Sequence, residues 1–97
     1  MYLEIVSPEA TLFGNKVESV SVPGTEGEFQ MLNNHAAIVS VLQKGQVKFQ
    51  VNAEDNINFD ELHESIVVDA ANNKVLTLAI KSGTVEMKDN KVIILAD

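Results

Sequence analysis

The chain has no cysteine among its 97 residues, which excludes disulfide frameworks, thiolate zinc sites and thiol nucleophiles. It has no tryptophan and a single tyrosine, Tyr2, so the exposed aromatic platform of a carbohydrate-binding surface is missing. No apolar run approaches the roughly 20 residues of a membrane-spanning helix. The start, Met1-Tyr2-Leu3-Glu4, lacks the basic and then apolar regions of a secretion signal, and none is expected. Direct lipid insertion is therefore not expected, and any membrane association would pass through a partner. Positive charge is scarce as well. Seven lysines and arginines stand against 14 acids, for a formal net charge of −7. Such a balance disfavours nucleic acid, whose phosphates need Lys and Arg to displace counterions, and it disfavours docking on anionic lipid. A basic protein surface is the better complement, although charge of this sign also keeps a small domain soluble.

What remains is a 45% hydrophobic chain of a length that supports one domain, 1–97, with one modest core. Its dominant pattern has period two. Val47, Phe49 and Val51 alternate with Gln46, Lys48 and Gln50, Val20 and Val22 with Ser19 and Ser21, and Val85 and Met87 with Thr84, Glu86 and Lys88. Each pattern predicts a strand with one apolar and one polar face. Three runs, Ile66-Val67-Val68, Val75 to Ile80 and Val92 to Leu95, are continuously apolar and predict strands buried on both sides or near the middle of a sandwich. Pro23-Gly24, Lys44-Gly45, Asn72-Asn73, Ser82-Gly83 and Asp89-Asn90 separate the runs. Gly and Asn tolerate the positive φ of tight turns, so Asp69 to Lys74 and Lys88 to Lys91 read as hairpin connections. The expected fold is all-β: an antiparallel flattened sandwich or barrel of roughly ten short strands. The acidic stretch Asn52 to Glu64 leaves two readings open, an edge strand through Ile57 and Phe59 or a helical turn capped by Asp60.

Chemical motifs are sparse. Asn56, Asn58 and Asp60 alternate like calcium ligands, but Glu61 and Val67 stand where a calcium loop needs Gly and Glu. His35 and His63 are not ligand-spaced. No Gly-x-Ser-x-Gly or phosphate-binding glycine loop occurs. No metal, cofactor or catalytic residue is expected, and the chain is not expected to be an enzyme by itself. The unusual segment is Pro23-Gly24-Thr25-Glu26-Gly27-Glu28-Phe29, followed by Gln30-Met31-Leu32, the turn Asn33-Asn34, then His35 and an apolar run from Ala36 to Leu42. Leu32, Ile38 and Val41 read as core residues. Two carboxylates flanking a glycine are less easily explained by packing, and they join His35 if the two turns share one end of the sandwich.

Four ordered segments carry a resemblance. They are Leu3-Glu4-Ile5-Val6-Ser7-Pro8 with Leu12-Phe13-Gly14; Pro23 through Ala37; Lys44-Gly45-Gln46-Val47-Lys48-Phe49; and Ser82-Gly83-Thr84-Val85-Glu86-Met87 with Lys91 through Asp97. Together they resemble the N-terminal β-sandwich domain of the epsilon subunit of F-type ATP synthases (delta in mitochondria), nearly end to end. Gln30 replaces a usual Gly, Asn33-Asn34 a usual Pro-Gly and Ala37 a usual Pro. The resemblance implies a short form without the family's C-terminal helical hairpin, so ATP binding and restraint of hydrolysis are not expected. It implies a non-catalytic rotor subunit of the central stalk that clamps the gamma subunit to the membrane c ring and so couples ion-driven rotation to ATP synthesis. Localisation would be peripheral, at the cytoplasmic face of the inner or plasma membrane. By the same resemblance, Glu26, Gly27, Glu28 and Phe29 would contact the c ring, with Phe29 either an apolar anchor or a core residue. His35 and Ala36 would approach gamma and the ring, with turn stabilisation the other role open to His35. The competing reading is a free-standing β-sandwich module that binds protein or carbohydrate.

Overall fold

The computed structural model describes residues 1–52 and 62–97. Those residues form ten strands and no helix: β1 (Tyr2–Val6), β2 (Thr11–Lys16), β3 (Ser19–Gly24), β4 (Gly27–Leu32), β5 (Ile38–Leu42), β6 (Gly45–Gln50), β7 (Ile66–Val68), β8 (Val75–Ile80), β9 (Gly83–Lys88) and β10 (Lys91–Ala96). The β-rich reading of the alternating sequence is realised throughout. Both expected hairpins form, β7 with β8 and β9 with β10. At the second, Asp89 and Asn90 take φ of 52° and 61°. That is the mirror-image turn whose twist matches the flanking strands.

The strands follow one another as β2-β1-β10-β9-β5-β3-β6-β8-β7, with β4 on the free side of β3. The link between β5 and β3 is a single pair, Gly24 with Leu42, and this divides the path into two layers. Layer one is β2-β1-β10-β9-β5 and layer two is β4-β3-β6-β8-β7, so the whole is a nearly closed, flattened barrel. All pairings are antiparallel but one. β1 and β10 run parallel, Leu3 beside Val92 and Ile5 beside Ile94. The two ends of the chain are thereby zipped into the middle of layer one, a long-range pairing that local turn chemistry does not encode.

The inner faces share one core. Leu3, Ile5, Val85, Met87, Val92 and Ile94 from layer one meet Val20, Val22, Met31, Val47, Phe49 and Leu76 from layer two. Phe13 stacks on Phe49 across the layers, centroids 4.6 Å apart and rings tilted by 51°. Among the described residues no polar or charged side chain is buried, so the core is held by apolar burial, about 25 cal/mol per Å², with the backbone ladders pairing the peptide groups of adjacent strands.

Two expectations need correction. The continuously apolar runs are not buried on both sides: Val67 is 60% and Leu95 54% exposed, while Ile66 and Ile94 are interior. A two-layer barrel covers only one face of each strand, so alternate residues of any apolar run must face outward. For the same reason Leu32 and Val41 are not core residues, being 54% and 59% exposed. Ile38 is half-buried against the core, as is Leu62. The two readings of the stretch through Ile57, Phe59 and Asp60, and the calcium-like alternation there, lie outside the described residues.

Candidate docking surfaces

The Pro23–Phe29 segment is the tip of the β3–β4 hairpin. Val22 pairs with Phe29, Pro23 with Glu28 and Gly24 with Gly27, leaving Thr25 and Glu26 as a two-residue loop. Neither loop residue has positive φ; the left-handed conformation falls on Gly27, at 129°. A side chain there would be strained, which accounts for the glycine. The tip is anchored to layer one by Thr25 N–H donating to Val41 O at 3.2 Å and by Gln43 N–H donating to Pro23 O at 2.8 Å. Glu26 and Glu28 are exposed, whereas Phe29 is half-buried and packs on the edge of the core. A Cβ on Gly24 would lie 2.9 Å from the Phe29 ring, so this glycine makes room for the aromatic. Residues 24–29 with Ile38 and Ser40 border an open hollow of about 360 Å³. The arrangement is a pair of exposed carboxylates beside a partly apolar recess, suited to a basic and apolar protein contact.

His35 is elsewhere. Its N–H donates to Leu32 O at 3.0 Å, and Nδ1 lies 2.7 Å from Ala36 O. Leu32 and Gly27 are opposite ends of β4, roughly 17 Å apart at 3.4 Å per residue. The two turns therefore do not share one end of the sandwich. The His35 turn is bound instead to the β9–β10 hairpin and the amino terminus. Asn34, at φ 62°, donates its N–H to Asn90 Oδ1 at 2.7 Å. Asn90 Nδ2 donates to Asn33 Oδ1 at 2.9 Å, and the Met1 ammonium donates to the same oxygen at 3.0 Å. Ala36 is exposed beside it.

One surface escaped sequence reasoning. On the outer face of layer one the register sets Val41, Thr84, Leu95 and Val6 side by side, with Val39, Glu86, Ile93 and Glu4 in the next row. Val39 is 77% exposed. The available signal was the unbroken Val92-Ile93-Ile94-Leu95 run, which in a two-layer fold has to present apolar side chains outward. Among the described residues no group of three His, Cys, Asp or Glu side chains is gathered for a metal.

These features define an all-β domain of two strand layers around one apolar core. Residues 1–60 match the family model of the ATP synthase delta/epsilon chain β-sandwich domain, and the chain belongs to that family. It is 36% identical over 97 residues to an ATP synthase epsilon chain of Campylobacter fetus, spanning all of this chain and 60% of the relative. An epsilon chain of Desulfitobacterium hafniense is 35% identical over 95 residues, which is 98% of this chain and 57% of the relative. The chain thus spans about 60% of the length of such curated relatives. The fold recurs in the central stalk and c ring structure of Tetrahymena thermophila mitochondrial ATP synthase, at TM-score 0.70 and 16% identity, covering 99% of this chain and 62% of that one. It recurs also in Euglena gracilis mitochondrial ATP synthase, at TM-score 0.72 and 17% identity, covering 97% and 48%.

Proposed function

We propose that residues 1–97 form one domain acting as a non-catalytic subunit of the ATP synthase central stalk, joining the gamma subunit to the membrane c ring so that they rotate together. The observation that carries this reading is the braced hairpin tip. Glu26 and Glu28 are exposed at a hairpin tip whose β3 arm is tied to the neighbouring backbone, through Thr25 to Val41 and Gln43 to Pro23. Carboxylates held this way orient and select a basic partner more than they add raw affinity. In this reading Glu26, Gly27, Glu28 and Phe29 touch the c ring, Phe29 lending its exposed edge. His35 and Ala36, at the far end of β4, face gamma or the ring. Torque transfer asks for stiffness, and a close-packed apolar core with no buried polar side chain among the described residues resists deformation. Membrane association is indirect, through the complex at the cytoplasmic face, and the domain needs no cofactor.

The test is co-expression with the gamma subunit of the same synthase, followed by size-exclusion chromatography and a pull-down on the isolated c ring. Wild type co-elutes with gamma, and the gamma-bound form binds the ring. Glu26→Lys/Glu28→Lys keeps gamma and loses the ring. A folded wild-type domain that ignores gamma overturns the stalk assignment and favours a free-standing protein-binding module.

A further inference from the structure

Among the described residues three strands have a neighbour on one side alone: β2 on β1, β7 on β8 and β4 on β3. A free edge carries a row of unpaired N–H and C=O groups, and proteins blunt such edges by shortness, bulges, lysine or proline. β7 is three residues long. β2 carries a register shift opposite Ile5 and Val6 and ends in Lys16, whose N–H is taken by Asn15 Oδ1 at 2.7 Å. β4 has none of these devices. It runs six residues, Gly27–Leu32, in unbroken register with β3 and contains neither lysine nor proline.

The open groups of β4 follow from the ladder. Pro23 O accepts from Gln43 N–H and Thr25 N–H donates to Val41 O, so Pro23 directs its backbone away from β4. Hydrogen-bonded and non-hydrogen-bonded pairs alternate in an antiparallel ladder. The bonded pairs are therefore Gly24 with Gly27, Val22 with Phe29 and Val20 with Met31. Glu28, Gln30 and Leu32 turn their N–H groups outward, and Glu28 and Gln30 their C=O groups as well, while Leu32 O is engaged by the His35 N–H at 3.0 Å. The side chains of Glu28, Gln30 and Leu32 are exposed on the outer side. On the inner side Phe29 is half-buried and borders, with Ile38 and Ser40, the hollow of about 360 Å³. An added strand would find backbone partners at every second residue of β4 and a seat for an inward apolar side chain.

We infer that the free edge of β4 receives an extended segment of a partner protein, which adds as a further strand to layer two with apolar residues at alternate positions facing Phe29 and the hollow. The inference rests on the stalk reading for its probe, the gamma subunit. Strand addition draws affinity from main-chain hydrogen bonds and specificity from alternate side chains. Leu32, 54% exposed, offers a cross-strand apolar contact. The edge runs directly into the His35 turn, the end that the stalk reading turns toward gamma or the ring. A second copy of this chain is the poorer occupant, because two domains of net charge −7 repel.

The experiment measures gamma binding by isothermal titration calorimetry for wild type, Gln30→Pro and Gln30→Ala, with circular dichroism melts to establish that each is folded. Proline at position 30 removes an outward N–H and leaves the ladder with β3 intact, a placement that edge strands tolerate. Alanine removes the side chain and keeps the backbone donor. Leu32→Pro, with Leu32→Ala as its control, stands in if Gln30→Pro unfolds. The expected loss is roughly 30-fold or more for proline, the scale of an interface hot spot, against a change within about two-fold for alanine. Amide exchange at Gln30 and Leu32 should be fast in the free domain and slow in the complex. Wild-type binding that proline leaves unchanged, or that alanine weakens as much as proline does, overturns strand addition and leaves the stalk reading standing. Slow exchange of both amides in the free domain also overturns it, since the edge would then be covered within the chain. No wild-type binding overturns both. If sedimentation equilibrium finds a homodimer of this chain that Gln30→Pro dissociates, with gamma binding unchanged, the occupant is a second copy and the partner segment is wrong.

Discussion

The outer faces of the two layers are built from the same alternation and have opposite chemistry. Layer two presents Gln46, Lys48 and Gln50 on β6, Ser19 and Ser21 on β3 and Thr77 on β8. Its large exposed apolar residues, Val67 and Leu32, stand at its borders on β7 and β4, with the small Ala79 exposed on β8. Layer one instead exposes Val39 and Val41 on β5, Ile93 and Leu95 on β10 and Val6 on β1, with Thr84 and Glu86 of β9 between β5 and β10. Scattered exposed hydrophobes need no explanation, whereas a contiguous patch marks a surface that another molecule covers. The inner faces are equally apolar, so folding asks nothing different of the two layers.

This contrast assumes one core supporting both faces, and the largest expected effect tests that. Phe49, fully buried on β6, bridges the layers through Phe13. Phe49→Ala should cost about 3–5 kcal/mol, read as a lower midpoint in urea with a single transition. Amide exchange that accelerates in layer two alone would show the layers to be separate units.

A smaller effect concerns the tie between layer one and the His35 turn. Asn90 supplies both a positive φ and the hydrogen bonds to Asn33 and Asn34. Asn90→Ala should lose about 2–3 kcal/mol, combining about 1–2 for the left-handed backbone with about 1 for the bonds. Asn90→Gly relieves the backbone cost and should recover roughly half of that loss in thermal melts. Equal losses in both variants would assign the whole effect to the side-chain bonds.

The smallest effect is the control on the polar side. Lys48→Glu and Thr77→Glu on layer two should change stability by less than about 0.5 kcal/mol and leave gamma affinity within about two-fold. A larger drop would erase the distinction between the faces.

Much of the fold was legible. Alternation at Val47-Lys48-Phe49 and at Val85-Glu86-Met87 is local, and a strand's inner and outer residues follow from it. The β9–β10 hairpin was readable because Asp89 and Asn90 carry their turn preference with them. For the continuous runs, burial on both sides fails while a place near the middle of the sandwich holds for β10; apolarity on both faces has two causes, double-sided burial and a sticky outside, which only the layer count separates. Gly27 was legible as a turn residue. The distance between Glu26 and His35 was not, because it depends on β4 running straight for its full length and on Asn90, 56 residues away, capturing Asn34.

The sequence by itself determined an all-β domain, its turns, its shared apolar core and its family, because alternation, turn propensity and ordered motifs act over a few residues or persist along the chain. The parallel pairing of β1 with β10, the opposite placement of the two turns, and the assembly of Val41, Thr84, Leu95 and Val6 into one row were decided only by tertiary structure. Those four residues come from four separate strands, and side chains that distant along the chain become neighbours only when strand order and register bring them together.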